Sequence, residues 1–259
     1  MSEYLQKLFG LDGRVAVVIG GTGVLGGELC NGLAQAGASV VVAGRSAERG
    51  QQRVEAIEKL GGTATFADVD ATNRASVKDL LDHVIATHGQ VDVLVNCAGV
   101  NSPTPYLDIS DEEFHRIIDG NVLATHLGCQ VFGKHMIEVG SGSILNIGSV
   151  TSYRPLSRVF IYSASKAAVL SLTQNVAREF APHGVRVNCL CPGFFPAEQN
   201  RKILDKPRID AILRHTPMGR LGEAPELVGA MLLLVSPAAG SFVTGEAIYV
   251  DGGFTAMTI

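Results

Sequence analysis

The chain has 259 residues, 46% of them hydrophobic and 18% charged, which supplies material for a sizeable core and excludes a disordered segment. The net charge is −4 with Lys and Arg spread along the chain, so nucleic acid and an anionic membrane are not expected as partners. The longest apolar stretches, such as Leu227–Val235, fall short of the ~20 residues of a bilayer span. The start, Met1-Ser2-Glu3-Tyr4, has no basic-then-apolar leader, and five cysteines without regular spacing suggest reduced thiols and a cytoplasmic home.

In chain order, the first predicted strand is Arg14–Ile19. It runs into Gly20-Gly21-Thr22-Gly23-Val24-Leu25-Gly26-Gly27 and then a helix to about Ala36. Strands Ser39–Ala43 and Ala64–Ala67 follow. Between Asn73 and His88, Val77, Leu80, Leu81, Val84 and Ile85 mark one helical face. After strand Val91–Asn96, Ser110-Asp-Glu-Glu113 reads as a capping box opening a long helix around Glu112–Val139. Strand Ser143–Ile147, helix Phe160–Phe180 and strand Val185–Leu190 come next. Pro225 then sits near the first turn of a helix to about Val235, and Ala247–Val250 is the last strand. Most of these strands are apolar throughout, as strands covered on both faces should be. The expected fold is α/β: a doubly wound, seven-stranded parallel sheet (Rossmann-like), in one domain over residues 1–259.

The glycine turn is the first chemical signal. Gly21-x-Gly23-x-x-Gly26 between a strand and a helix lets backbone N–H groups approach a pyrophosphate, and the helix start favours the anion. The second strand ends at Gly44-Arg45-Ser46 with no acid to hold the ribose hydroxyls of NAD. A guanidinium at Arg45 can pair with a 2′-phosphate, so NADP(H) is preferred and NAD(H) remains possible.

Tyr162 and Lys166 stand one helical turn apart on one face. A phenol with pKa ~10 becomes a useful acid–base group at neutral pH when a nearby cation stabilises its anion. Ser149 follows the strand Ser143–Ile147 and can donate to a carbonyl or alkoxide oxygen. The set suits hydride transfer between a nicotinamide and a carbonyl, with Tyr162 moving the proton. The histidines, His83, His88, His115, His126 and His135 among them, share no ligand spacing. Cys189-Leu-Cys191 lies in a strand pattern without a second ligand pair, so no metal site is expected.

With these residues in place the chain resembles a short-chain dehydrogenase/reductase over nearly its whole length. Gly20 through Gly26 resembles that family's glycine motif, Asp68-Val69 the pair at the adenine ring, and Asn96-Cys97-Ala98-Gly99 its Asn-Asn-Ala-Gly. The resemblance implies that Asn121 holds a water in a proton relay through Lys166. It also implies that the turn Pro192-Gly193, with Phe195, seats the nicotinamide, and that Val243-Thr244-Gly245 and Val250-Asp251-Gly252-Gly253 close the sheet. Gly20, Thr22, Gly23, Val24, Leu25, Gly26, Arg45 and Ser46 then form the phosphate and ribose contacts, while Asn96, Ala98, Gly99, Tyr162 and Lys166 continue toward the nicotinamide. There are departures: Ile19 replaces a Thr, Val24 a Gly, Cys97 an Asn, and Ala197 a Thr that touches the carboxamide.

The stretch Pro192–Arg201 is similar to the D-mannonate oxidoreductases (fructuronate reductases) of this family, as are Arg154-Pro-Leu-Ser-Arg158 and His215–Arg220. A sugar acid needs a cation for its carboxylate and polar groups for its hydroxyls; the candidates are Asn101, Arg154, Arg158, Glu198, Gln199, Asn200 and Arg201. A 3-oxoacyl-carrier-protein reductase or a gluconate 5-dehydrogenase-like reductase shares every catalytic motif. A sensor that binds NADP without turnover is the alternative of a different class. The resemblance also implies a homotetramer built on the helices around Glu112–Val139 and Phe160–Phe180, with the apolar tail Phe254–Ile259 tucked against another subunit.

Overall fold

The computed structural model describes residues 2–196 and 205–257. Seven parallel strands form one sheet: β1 (Val15–Ile19), β2 (Ser39–Gly44), β3 (Thr63–Asp68), β4 (Val93–Asn96), β5 (Gly142–Ile147), β6 (Val185–Pro192) and β7 (Ala247–Val250). Their order is β3-β2-β1-β4-β5-β6-β7. The chain leaves β1 toward β2 on one side and returns to β4 on the other, which opens a crevice at the carboxyl ends of β1 and β4.

The helices are α1 (Glu3–Phe9), α2 (Val24–Gln35), α3 (Ala47–Lys59), α4 (Arg74–His88), α5 (Asp111–Ile118), α6 (Ala124–Val139), α7 (Phe160–Phe180), α8 (Lys206–His215) and α9 (Val228–Val235). Alternate side chains of the apolar strands serve opposite faces. Ala16, Val18, Val40, Val42, Val93 and Val95 pack against Leu29 and Leu33 of α2, Val54 and Ile57 of α3, and Met231 and Leu234 of α9. Val15, Val17, Ile19, Val41 and Leu94 pack against Val77, Leu80 and Val84 of α4 and Phe132 and Met136 of α6. The expected doubly wound, single-domain architecture is therefore the observed one.

Local signals set several helix ends. Asn73 accepts from the N–H groups of Ala75 and Ser76, and Ser110 from that of Glu113, which caps the starts of α4 and α5; the expected capping box at Ser110 is half formed, because the Glu113 carboxylate accepts from Thr104 Oγ1 at 2.7 Å. The half-buried Arg186 of β6 finishes α9. It donates to the carbonyls of Leu234, Val235 and Ser236 at 2.7, 3.2 and 3.1 Å. Burial draws its pKa below the ordinary value.

One expectation is corrected. The long helix around Glu112–Val139 is three pieces, with a wider π turn, Asp119–Leu123, between α5 and α6. Asn121 lies within this turn, and its amide binds the loop after β4 (below); wide turns of this kind commonly mark functional sites. Helices α1 and α8 were not among the predicted elements. Among the described residues no helix is long and apolar enough to cross a membrane, and no cluster of His, Cys, Asp or Glu could hold a metal ion.

Candidate active site

A cleft of about 560 Å³ runs along the carboxyl ends of the strands from β2 to β6. Its phosphate end is the turn between β1 and α2. Gly20 has φ +91°, a left-handed conformation, and a Cβ there would lie 2.6 Å from the Ala98 nitrogen and 2.7 Å from the Cys97 carbonyl carbon. A Cβ on Gly26 would strike the Gly20 carbonyl oxygen. These two glycines fold the turn tightly against the end of β4. The N-cap of α2 is Gly23, and no side chain caps it. The first turn, Val24-Leu25-Gly26, lines the cleft, so α2 points its uncapped N-terminus at the space where a diphosphate would lie.

At the β2 end, Arg45 is exposed and lines the cleft, and the Thr22 side chain closes against Gly44. Arg49, one turn further along, joins Arg45 at the wall. Sequence reasoning missed Arg49, although its spacing of four residues from Arg45 was the available signal. Ser46 caps α3 by accepting from the Arg49 N–H at 3.4 Å and does not line the cleft. Val69 lines it, as do Asp70 and Thr72, which were not anticipated; Asp68 is exposed and stands outside the wall. The Asp70 carboxyl is held below its usual pKa by hydrogen bonds from Thr72 and, to a smaller extent, by Arg45.

The middle of the cleft brings Ser149, Tyr162 and Lys166 together with Ala98, Gly99, Asn101, Pro192, Gly193 and Phe195. Ser149 follows β5 and begins a 3-10 turn, Val150–Ser152. Its Oγ accepts from the Thr151 N–H at 3.1 Å, which leaves the hydroxyl proton for another acceptor. Lys166 is 4% exposed, and its ammonium donates to the Ile147 carbonyl at 2.7 Å, so the end of β5 holds the cation. Its Nζ lies 5.7 Å from the centroid of the Tyr162 ring. The predicted pairing of phenol and ammonium is thus present in the fold.

Asn121 is fully buried in the π turn. Its Oδ1 accepts from the Val100 N–H at 2.7 Å, and its Nδ2 donates to the Val100 carbonyl at 3.0 Å and to Ser165 Oγ at 2.8 Å. Ser165 Oγ donates in turn to the Tyr162 carbonyl at 2.7 Å. The amide therefore ties the loop after β4 to the helix that carries Tyr162. Gly99 stands between Asn121 and Lys166: a Cβ there would lie 3.1 Å from Asn121 Oδ1 and 3.6 Å from Lys166 Nζ.

Other expected residues are placed elsewhere. The Asn96 side chain turns into the core and donates to Asn146 Oδ1 at 2.9 Å, and Asn146 donates to Thr173 Oγ1 at 2.9 Å; this ladder joins β4, β5 and α7 behind the cleft. Arg158, at φ +67°, donates to Asp205 at 3.0 Å, and Arg154 stacks over the Tyr153 ring at 4.9 Å. Neither lines the cleft. Ala197, Glu198, Gln199, Asn200 and Arg201 lie outside the described residues. Cys97 lines the cleft, and burial raises its pKa to about 11, so it is a neutral thiol rather than a nucleophile.

A crevice at a topological switch point, a glycine turn under a bare helix start, and a Ser–Tyr–Lys set at its centre define the class: a Rossmann-like oxidoreductase. Comparison with known proteins agrees. A family model described as enoyl-(acyl carrier protein) reductase matches residues 23–255. Gluconate 5-dehydrogenase of Gluconobacter oxydans (strain 621H) is 36% identical, with 96% of this chain and 97% of that protein covered. The uncharacterized oxidoreductase UxuB of Bacillus subtilis (strain 168) is 35% identical, with 95% and 96% covered. The crystal structure of a gluconate 5-dehydrogenase from Burkholderia cenocepacia J2315 in complex with NADP and tartrate superposes with a TM-score of 0.94 at 34% identity, covering 98% of this chain and all of that one. The chain belongs to the short-chain dehydrogenase/reductase family and is an oxidoreductase related to gluconate 5-dehydrogenases.

Proposed function

We propose that the protein is an NADP(H)-dependent oxidoreductase that interconverts a ketone and a secondary alcohol on a sugar acid of the gluconate or mannonate type. The observation that carries this reading is the convergence of Ser149, Tyr162 and Lys166 on a cleft continuous with the bare N-terminus of α2. The cleft suits a dinucleotide by its own construction: Gly20 and Gly26 leave no room for side chains beneath the turn, and Arg45 and Arg49 at the β2 end of the wall supply cations that suit a 2′-phosphate.

The bound nicotinamide supplies the hydride acceptor or donor. The protein does the rest. Ser149, whose Oγ accepts from the Thr151 N–H, keeps its O–H to donate a hydrogen bond to the substrate oxygen. Tyr162 gives or takes the proton at that oxygen, and Lys166, held by the Ile147 carbonyl, stabilises the phenolate. A water in the gap left by Gly99, between Asn121 Oδ1 and Lys166 Nζ, would return protons to the lysine. Asn101, at the wall, is placed for a substrate hydroxyl. Arg158 is occupied by Asp205 and, like Arg154, stands outside the cleft wall, so neither is assigned to the substrate carboxylate. The reading also takes the protein as a cytoplasmic homotetramer. The support for assembly is an exposed apolar patch beside the start of α7, where Leu107, on the 3-10 turn Tyr106–Asp108, is 93% exposed and Tyr106 meets Phe160 edge to face at 5.3 Å.

The test is a set of initial rates for the purified enzyme with NADP(H) and NAD(H) against 5-ketogluconate, gluconate, fructuronate, mannonate and a 3-oxoacyl carrier-protein thioester. Turnover of a sugar acid with NADP(H) favoured is the expected result. Preference for the thioester would replace the sugar acid with an acyl group. Cofactor binding without turnover of any substrate would leave a sensor.

A further inference from the structure

The Ser–Tyr–Lys set is carried by two separate elements. Ser149 is on the turn after β5, and Tyr162 and Lys166 are on α7. Hydride transfer to one carbonyl requires both elements in a single register, because near-attack geometry tolerates little error. What holds that register is a hydroxyl outside the catalytic set. Ser152 Oγ accepts from the Ser149 N–H at 3.1 Å and donates to the Lys166 carbonyl at 2.9 Å. One hydroxyl, its donor and an acceptor site both used, bridges the main chains of two catalytic residues.

The surroundings leave this hydroxyl little freedom. Ser149 and Ser152 form a reciprocal capping pair across the 3-10 turn. A Cβ on Gly148 would lie 3.1 Å from Ser152 Oγ, and 2.6 and 2.7 Å from the sulfurs of Cys191 and Cys189. The turn is therefore packed from behind by β6 and tied laterally to α7. The side chain of Ser149 is in turn set by the N–H of Thr151, inside the turn that Ser152 closes. A shift of the turn would move the donor hydroxyl relative to the Tyr162–Lys166 pair, which is also anchored on β5 through the Ile147 carbonyl.

We infer that Ser152 is a positioning residue that acts through Ser149, coupling the turn after β5 to α7 so that hydroxyl and phenol meet the same substrate oxygen. The inference rests on the hydride-transfer reading above. A double-mutant cycle tests it in the full-length enzyme, with S149A, S152A, S149A/S152A and S152T compared for kcat, KM, NADPH affinity by fluorescence titration, and Tm. S152A should lower kcat about 10–100-fold with NADPH affinity unchanged. The double variant should match S149A, because Ser152 has nothing left to position. S152T, which keeps the hydroxyl, should recover part of the loss. A kcat for S152A equal to wild type, or losses that multiply in the double variant, would overturn the inference while leaving the functional reading intact. A wild-type enzyme that binds NADPH but transfers no hydride to any of the carbonyls above would remove both.

Discussion

Along the β1, β2 and β4 side, the cleft wall is built on the turn at Gly20, the start of α2, and Ala98-Gly99 after β4, with Arg45, Arg49, Asp70 and Thr72 at its β2 end. Beyond β5 the wall carries the side chains of Ser149, Tyr162, Lys166 and Phe195, and three arginines outside that wall are already spoken for. Arg158 is bound to Asp205, Arg208 to Ser157, and Arg220 to Glu226. In the first region the glycine turn suits what every dinucleotide shares, and its shape follows from backbone geometry that glycine permits. The second must recognise one substrate, so its cations are set by contacts between segments far apart in the sequence. A fold can thus keep one cofactor end and vary the other by exchanging loop pairs.

Four changes sharpen that contrast, in descending order of effect. Tyr162→Phe removes the proton carrier where the two regions meet; kcat should fall about 1,000-fold with cofactor affinity retained, as read from the absorbance of the reduced nicotinamide and a binding titration. A variant retaining wild-type rate would discard Tyr162 as the acid–base group. Gly20→Ala places a Cβ at φ +91° against the backbone of Cys97 and Ala98, and should cost about 2–4 kcal/mol by chemical denaturation. An unchanged midpoint would show that the turn yields more than its contacts indicate.

Arg45→Ala, alone and with Arg49→Ala, should weaken NADPH about 10–100-fold and leave NADH nearly unaffected, by calorimetry. Equal losses for both cofactors would assign these arginines to general electrostatics instead of the 2′-phosphate. Arg158→Ala should have the smallest effect. Its pair with Asp205 is half exposed, at 52% and 51% of the side-chain surface, and such pairs contribute little. Thermal scans should show no resolved shift, and KM for the sugar acid should hold; a large rise in KM would return Arg158 to the substrate site. The pair also gives a sign for pH. Arg158 holds the Asp205 carboxyl below its ordinary pKa, so whatever stability it adds is present above the usual carboxylate range and fades as pH falls through it.

Much of the molecule is legible in the order of its residues. The apolar runs from Val15 to Val250 announce strands covered on both faces, and the sheet has all seven of them. The glycine turn, Arg45, and the pair Tyr162–Lys166 are local patterns: one turn of backbone places them, and the structure keeps them at the cleft. Less legible are residues whose neighbours come from elsewhere. Asn121 reads as one polar position in a long helix, yet it lies in a π turn with its amide bound to Val100 and Ser165. Asn96 sits in a glycine-bounded motif, yet Asn146 turns it inward.

The same division holds for the protein as a whole. Periodicity and glycine spacing alone determined a parallel α/β domain with a nucleotide turn and a phenol–ammonium pair, because each follows from dihedral limits and the pitch of a helix. Only the tertiary fold decided that Ser152 spans two catalytic main chains, that Arg49 joins Arg45, and that Arg158 is neutralised by Asp205. Those depend on distances between segments that come together only by packing.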